Sequence, residues 1–180
     1  SSVHLVMAQS NPGSGHKGIC TFIVETSLPG VVIGAKEDKL GIRSSDTHTI
    51  LYNDVKVPKE NLLGPPGNGF KFAMQTLTGG RIGIASQALG IASGAYELAL
   101  NYSKERKTFG KPISQHQAIA FKLADMATEI EAARLMVHRA AWMKDQGMDF
   151  GVAASMAKLF ASDVAMKHTV EAVQIHGGYG

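Results

Sequence analysis

Through residues 1–64 short apolar runs alternate with turn chemistry, and no apolar residue recurs at helical spacing between them. Residues 4–8, 18–24, 31–33 and 48–57 read as four strands. They are punctuated by Asn11-Pro12-Gly13-Ser14-Gly15, by Leu28-Pro29-Gly30 and by Pro58. Runs at this spacing predict an antiparallel sheet or sandwich, incomplete because its first strand lies at the very start of the chain. The pattern changes after Gly64-Pro65-Pro66-Gly67-Asn68-Gly69, a Pro/Gly-dense hinge that places a domain boundary between residues 1–64 and 65–180. Beyond it Ala, Leu, Met and Lys dominate and apolar positions take helical spacing. The reading gives a short helix over 70–77, broken at Gly79-Gly80, and long ones over 82–107, 115–146 and 152–175. On the third, Ala120, Leu123, Ala124, Ala127, Ile130, Glu131 and Arg134 fall at helical spacing. On the last, Met156, Leu159, Phe160, Val164 and Val170 share a face. Long helices on short loops predict an antiparallel bundle, so the fold class is α+β, a partial β-domain followed by a helical one.

With 44% hydrophobic residues the chain can bury a core, and no apolar run approaches the ~20 residues of a membrane span. The net charge of +3 is too small and too dispersed to mark a nucleic-acid partner. One cysteine, Cys20, excludes an intrachain disulfide and a thiolate zinc cluster, and suits a reducing compartment. Seven histidines include no metal-ligating pair, so no metal is expected, and His138 and His168 read as surface or packing residues. Gly13-Ser14-Gly15-His16-Lys17-Gly18 lacks the spacing and the hydroxyl of a phosphate loop and reads as a turn.

Three stretches carry candidate chemistry. Thr78-Gly79-Gly80-Arg81 sets two glycines and a cation at the predicted start of a long helix, where unpaired N–H groups suit an anion. A helix break with an exposed arginine explains it equally. Arg106-Lys107-Thr108-Phe109-Gly110-Lys111-Pro112 closes that helix. Its cations complement the helix dipole, or they hold a pyrophosphate beside a hydroxyl and an aromatic ring, with Gln117 one turn into the next helix. Gln174-Ile175-His176-Gly177-Gly178 ends the last helix either as a glycine cap or as backbone that a ligand approaches closely.

The order of these segments resembles the acyl-CoA dehydrogenase flavoprotein family. The resemblance runs through Lys17-Gly18-Ile19, Lys36 to Thr47, Val57 to Gly64, Gly69-Phe70-Lys71, Gly80 to Ala85, Arg106 to Lys111 and Gln174 to Gly178, in family order over the whole chain. Lys39-Leu40-Gly41-Ile42-Arg43 and Arg81 to Gly90 look most like short-chain, butyryl-type members. The resemblance implies the second half of a middle β-domain followed by most of a four-helix bundle, in a fragment lacking both ends. It implies FAD-dependent oxidation of a short acyl-CoA to the trans-2-enoyl-CoA, in a homotetramer that passes electrons to an electron-transfer flavoprotein. Thr78, Gly79, Gly80 and Arg81 look like the acyl-CoA stretch. Arg106, Thr108, Phe109, Gln117, Gln174, Ile175, His176, Gly177 and Gly178 look like FAD contacts, largely to the neighbouring subunit's cofactor. The usual catalytic Glu is expected beyond Gly180. Relatives that carry it just before the arginine have an acid where this chain has Gly80. Hence no base is named here, and Glu97, Glu129, Glu131 and Glu171 read as helix-surface carboxylates. The resemblance places a eukaryotic member in the mitochondrial matrix and a bacterial one in the cytoplasm. An oxidase of the same family, or a helical assembly that binds acyl-CoA without redox chemistry, fits the same residues.

Overall fold

The structure is a computed structural model and describes residues 2–180. The chain forms two compact units, residues 1–74 and 75–180. In the first, β1 (Val3–Gln9) pairs antiparallel with β2 (Ile19–Glu25), from Val3 opposite Glu25 to Gln9 opposite Ile19. A second antiparallel pair joins β3 (Val31–Lys36) to β4 (His48–Tyr52). The four expected strands therefore form two separate ladders, and β4 stops at Tyr52 rather than continuing to Val57. Asp54 follows with a φ of 50°, a left-handed conformation that ends a strand.

β1 alternates exposed and half-buried residues, as a half-covered sheet face requires. A cleft of about 480 Å³ opens on that face, lined by Val6, Phe22, Val24, Tyr52 and Val55 among others. The Pro/Gly-rich run is not a loose hinge. A Cβ on Gly67 would lie 2.5 Å from the Lys17 carbonyl oxygen, and one on Gly69 would lie 2.7 Å from the Cys20 carbonyl carbon. Glycine is what lets this segment lie against β2. There Cys20 Sγ meets Ser10 Oγ at 3.0 Å and accepts from the Gly67 N–H at 3.2 Å. Those two contacts hold the thiol below its ordinary pKa.

Three long helices follow: α1 (Gly69–Glu105), α2 (Gln117–Asp145) and α3 (Gly151–His176). The break expected at Gly79-Gly80 is absent, and α1 runs unbroken for 37 residues. Each glycine costs a helix about 1 kcal/mol, too little to interrupt one anchored further along by buried Ala85, Leu89, Ala92 and Ala99. A small hairpin not foreseen from the sequence, β5 (Lys107–Thr108) with β6 (Lys111–Pro112), links α1 to α2.

Most buried positions are spaced three, four or seven residues apart. They include Ala85, Leu89, Ala92, Ala99 and Ser103 on α1, Leu123, Met126, Ile130, Ala133, Val137 and Ala140 on α2, and Ala154, Ala157, Ala161, Val164, His168, Ala172 and Ile175 on α3, with Ala165 beside them. This 3.5-residue repeat is what a left-handed bundle needs, and alanine at the seam lets helices approach closely. The face expected to bury α3 holds only in part: Val164 is buried and Phe160 packs half-buried against the core. Met156, Leu159 and Val170 are exposed, and the alanines one step round the helix are buried instead.

Candidate functional site

One cleft, of about 300 Å³, gathers Arg106, Thr108, Ile175, His176, Gly177 and Gly178, all predicted to hold a cofactor. Tyr102, Ile113 and Tyr179 complete its wall. Two helix ends meet there. α1 stops after Glu105 and α3 after His176, and the glycines that follow α3 turn the chain away.

Gly177 takes φ 61° and ψ −126°, a region that effectively only glycine enters, and its N–H caps α3 by donating to the Gln174 and Val173 carbonyls. Nothing lies within 4 Å of a Cβ built on Gly177 or Gly178, so their backbone faces open space. His176 donates from Nδ1 to the Ala172 carbonyl at 2.7 Å and stacks on Tyr102, ring centroids 4.6 Å apart. Tyr179 tilts against the same tyrosine at 6.5 Å. Neither Tyr102 nor Tyr179 was given a role from the sequence. Their signal was adjacency, one helical turn before Arg106 and just after the glycine pair.

Arg106 is exposed, and among the described residues no carboxylate comes within ion-pair distance of its guanidinium. Its backbone is fixed: its N–H donates to the Tyr102 carbonyl at 2.9 Å, and its own carbonyl accepts from Ile113 at 2.8 Å. Thr108 Oγ1 lies 3.0 Å from His116 Nε2. Phe109 is 97% exposed and holds φ 50°, a strained conformation for a bulky residue, with Gly110 following at φ 80°. An anchored aromatic presented to solvent in this way suits contact with something outside the chain.

Not every predicted residue joins the cleft. Phe109 and Gln117 sit beside it without lining it, and Gln174 contributes its carbonyl to the cap. Thr78, Gly79, Gly80 and Arg81 lie in the interior of α1. The argument from unpaired N–H groups at a helix start therefore fails for them. Gly80 and Arg81 are exposed, and nothing lies within 4 Å of a Cβ on Gly80, so packing within the chain does not require glycine there.

Three of the four helix carboxylates singled out from the sequence are engaged in ion pairs. Glu171 pairs with Lys122, Glu131 with Arg134 at 3.1 Å, and Glu129 with Lys167 at 2.5 Å. Lys167 holds the Glu129 carboxyl below its usual range. Among the described residues no three His, Cys, Asp or Glu side chains cluster as a metal site, and no helix is long and apolar enough to cross a membrane.

The model of the acyl-CoA dehydrogenase C-terminal domain matches residues 67–180. This chain belongs to the acyl-CoA dehydrogenase family. It is 54% identical over 178 residues to a short-chain specific acyl-CoA dehydrogenase of Megasphaera elsdenii, spanning 99% of this chain and 46% of that one. It is 51% identical to the mitochondrial short-chain specific enzyme of Bos taurus, over 99% of this chain and 43% of the relative. The solved butyryl-CoA dehydrogenase of M. elsdenii superposes with a TM-score of 0.94 at 54% identity, covering 99% of this chain and 47% of that structure. The chain thus spans about half the length of the relatives it matches, which include bacterial and mitochondrial proteins.

Proposed function

We propose that this chain forms the cofactor-holding half of an FAD-dependent dehydrogenase that oxidises short acyl-CoA thioesters to trans-2-enoyl-CoA. The observation that carries the proposal is the convergence, in one cleft, of an arginine without a carboxylate partner and two glycines whose backbone faces open space. A pyrophosphate asks for that pairing, a forked cation and unencumbered backbone, and the donor set fits it. Arg106 and Thr108 hold the phosphates, the loop Gly177-Gly178 admits them, and Tyr102 stacked on His176 offers a ring face. When bound, FAD supplies the hydride acceptor for the β-hydrogen.

Phe109, Gln117 and Gln174 lie at the margin, and Phe109 reaches outward to the cofactor of a neighbouring subunit in a homotetramer. Thr78, Gly79, Gly80 and Arg81 line the acyl-CoA path. Support for that part comes from the exposed side of α1, where the lack of a side chain at Gly80 leaves room beside Arg81. The general base lies outside this chain, and the electron acceptor is an electron-transfer flavoprotein. The short-chain preference follows the likeness to short-chain members, and pocket depth sets it physically.

The test uses the full-length protein. A flavin absorption band near ~450 nm is expected after purification, with faster turnover on butyryl-CoA than on octanoyl- or isovaleryl-CoA. A colourless protein that fails to take up added FAD would refute the cofactor. A preference for octanoyl-CoA would refute the chain length. Turnover with oxygen as efficient as with the flavoprotein acceptor would make it an oxidase.

A further inference from the structure

His116 was singled out neither by motif nor by spacing, yet it touches both Thr108, which lines the cleft, and Phe109 beside it. Its Nε2 lies 3.0 Å from Thr108 Oγ1, and its ring stands edge-on to Phe109 with centroids 6.3 Å apart and planes at 83°. Its own backbone is fixed at the start of α2, where its carbonyl accepts from Ile119 at 3.0 Å and Ala120 at 2.9 Å. The side chain therefore ties a loop containing a strained Phe109 to the first turn of a 29-residue helix.

The direction of the hydrogen bond decides what Thr108 can do. A threonine hydroxyl has one hydrogen. If Nε2 accepts it, only oxygen lone pairs face the cleft, and these repel a phosphate. If Nε2–H donates to Oγ1, the hydroxyl hydrogen is free to point into the cleft. Between Arg106 and His116 the chain carries Arg106, Lys107 and Lys111 and no acidic residue, so an anion is what this loop attracts. We propose that His116 is a positioning residue: its Nε2–H donates to Thr108 and turns the Thr108 hydroxyl hydrogen outward, onto a phosphate oxygen. The inference rests on the reading that the cleft holds the phosphates of FAD.

The decisive experiment is a double-mutant cycle on the full-length protein, reading FAD dissociation by flavin fluorescence after reconstitution of the apoprotein. Thr108→Val is expected to weaken FAD by about tenfold, the loss of one hydrogen bond to a charged group. His116→Leu should cost nearly as much, and the double variant no more than Thr108→Val alone. His116→Gln, whose amide can donate from near the Nε2 position, should recover most of the loss. Unchanged affinity in His116→Leu, or losses that add in the double variant, would overturn the proposal. Should His116→Leu fail to fold, His116→Gln against the shorter His116→Asn decides instead. Tighter binding by Gln supports the role, and equal binding overturns it. Wild-type protein that binds no FAD would overturn the reading of the cleft and this inference together, whereas normal wild-type binding with an unaffected His116→Leu overturns this inference alone.

Discussion

Arg106→Ala separates a cofactor contact from a structural one. The side chain is exposed and pairs with no carboxylate among the described residues, while its backbone bonds to Tyr102 and Ile113 survive the change. Fold stability should therefore stay nearly unchanged in the apoprotein. A charge-assisted hydrogen bond to phosphate is worth about 1.5 to 3 kcal/mol, so FAD affinity should fall roughly tenfold to a hundredfold. Because the guanidinium faces solvent, that loss should shrink as salt is raised. Arg106→Lys keeps the charge but loses the fork, and should recover only part of the affinity. The competing account makes Arg106 a cation that merely complements the C-terminus of α1, worth about 0.3 to 1 kcal/mol, and there lysine should replace it almost fully. If the cofactor bridges subunits, flavin and tetramer are lost together by linkage. Flavin content and sedimentation of the wild-type, Ala and Lys proteins decide between the accounts. Full flavin and an intact tetramer in Arg106→Ala would refute the reasoning.

Other perturbations probe the scaffold. Met126 is fully buried in the bundle, so Met126→Ala should cost about 2 to 5 kcal/mol in urea unfolding, and a loss under 1 would mean the seam collapses to fill the space. Gly177→Ala meets no steric neighbour but must hold φ 61° and ψ −126°, which costs on the order of 1 to 3 kcal/mol. Wild-type stability with normal flavin retention would show that this cap relaxes freely. His168 is fully buried, with Nδ1 unpartnered and Nε2 3.0 Å from Glu129 Oε2 but out of hydrogen-bond alignment. Desolvation pushes its pKa down, against the pull of Glu129, with Lys167 reinforcing the drop and Glu171 opposing it. A lowered folded-state pKa means the unfolded chain binds the proton first. Stability from this group is then complete above its ordinary pKa of about 6.5 and is lost as pH falls through the lowered value. Glu129, also lowered, adds a loss in the same direction at still lower pH. The urea midpoint should drop between pH 8 and pH 5, and less steeply in His168→Phe; a flat wild-type profile would contradict this.

Much of this fold was legible because its signals are local. Strand runs bounded by Asn-Pro-Gly and Leu-Pro-Gly, and helices rich in Ala, Leu and Lys, appear within a residue or two of where they were expected for β2, α2 and α3. The failures share one cause, which is tertiary context. Gly79-Gly80 carries a breaker's propensity, but buried residues on the same helix outweigh it. The core face of α3 was read correctly at Val164 and missed at its alanines, because alanine is only weakly hydrophobic although close helix approach needs small residues more than large ones. The two ladders of the first unit could not be told from one sheet, since pairing is non-local and period-two patterns do not name their partner. At the candidate site, the arginine and glycine stretches were visible as motifs, whereas Tyr102, His116 and Tyr179 acquire a role only when separate segments meet.

If the cleft holds phosphates as proposed, its position also explains why it needs positive charge. Helix N-termini are the natural anion sites, yet this cleft lies where α1 and α3 end, and each C-terminus presents about half a negative charge. An anion there works against two dipoles, with only the start of α2 nearby to offset them. Backbone donors alone would not suffice, so side chains must reverse the local field. The connecting loop supplies Arg106 in the cleft wall, with Lys107 and Lys111 nearby in sequence and not one carboxylate as far as Gln117. A cap by glycine serves the same end. It closes α3 using its own backbone and adds no side chain to the cleft at Gly177 or Gly178. On this view the bland reading of each stretch, cations that complement a helix end and glycines that cap one, is true but incomplete. The same residues that satisfy two helix termini are left, by those terminations, facing one space.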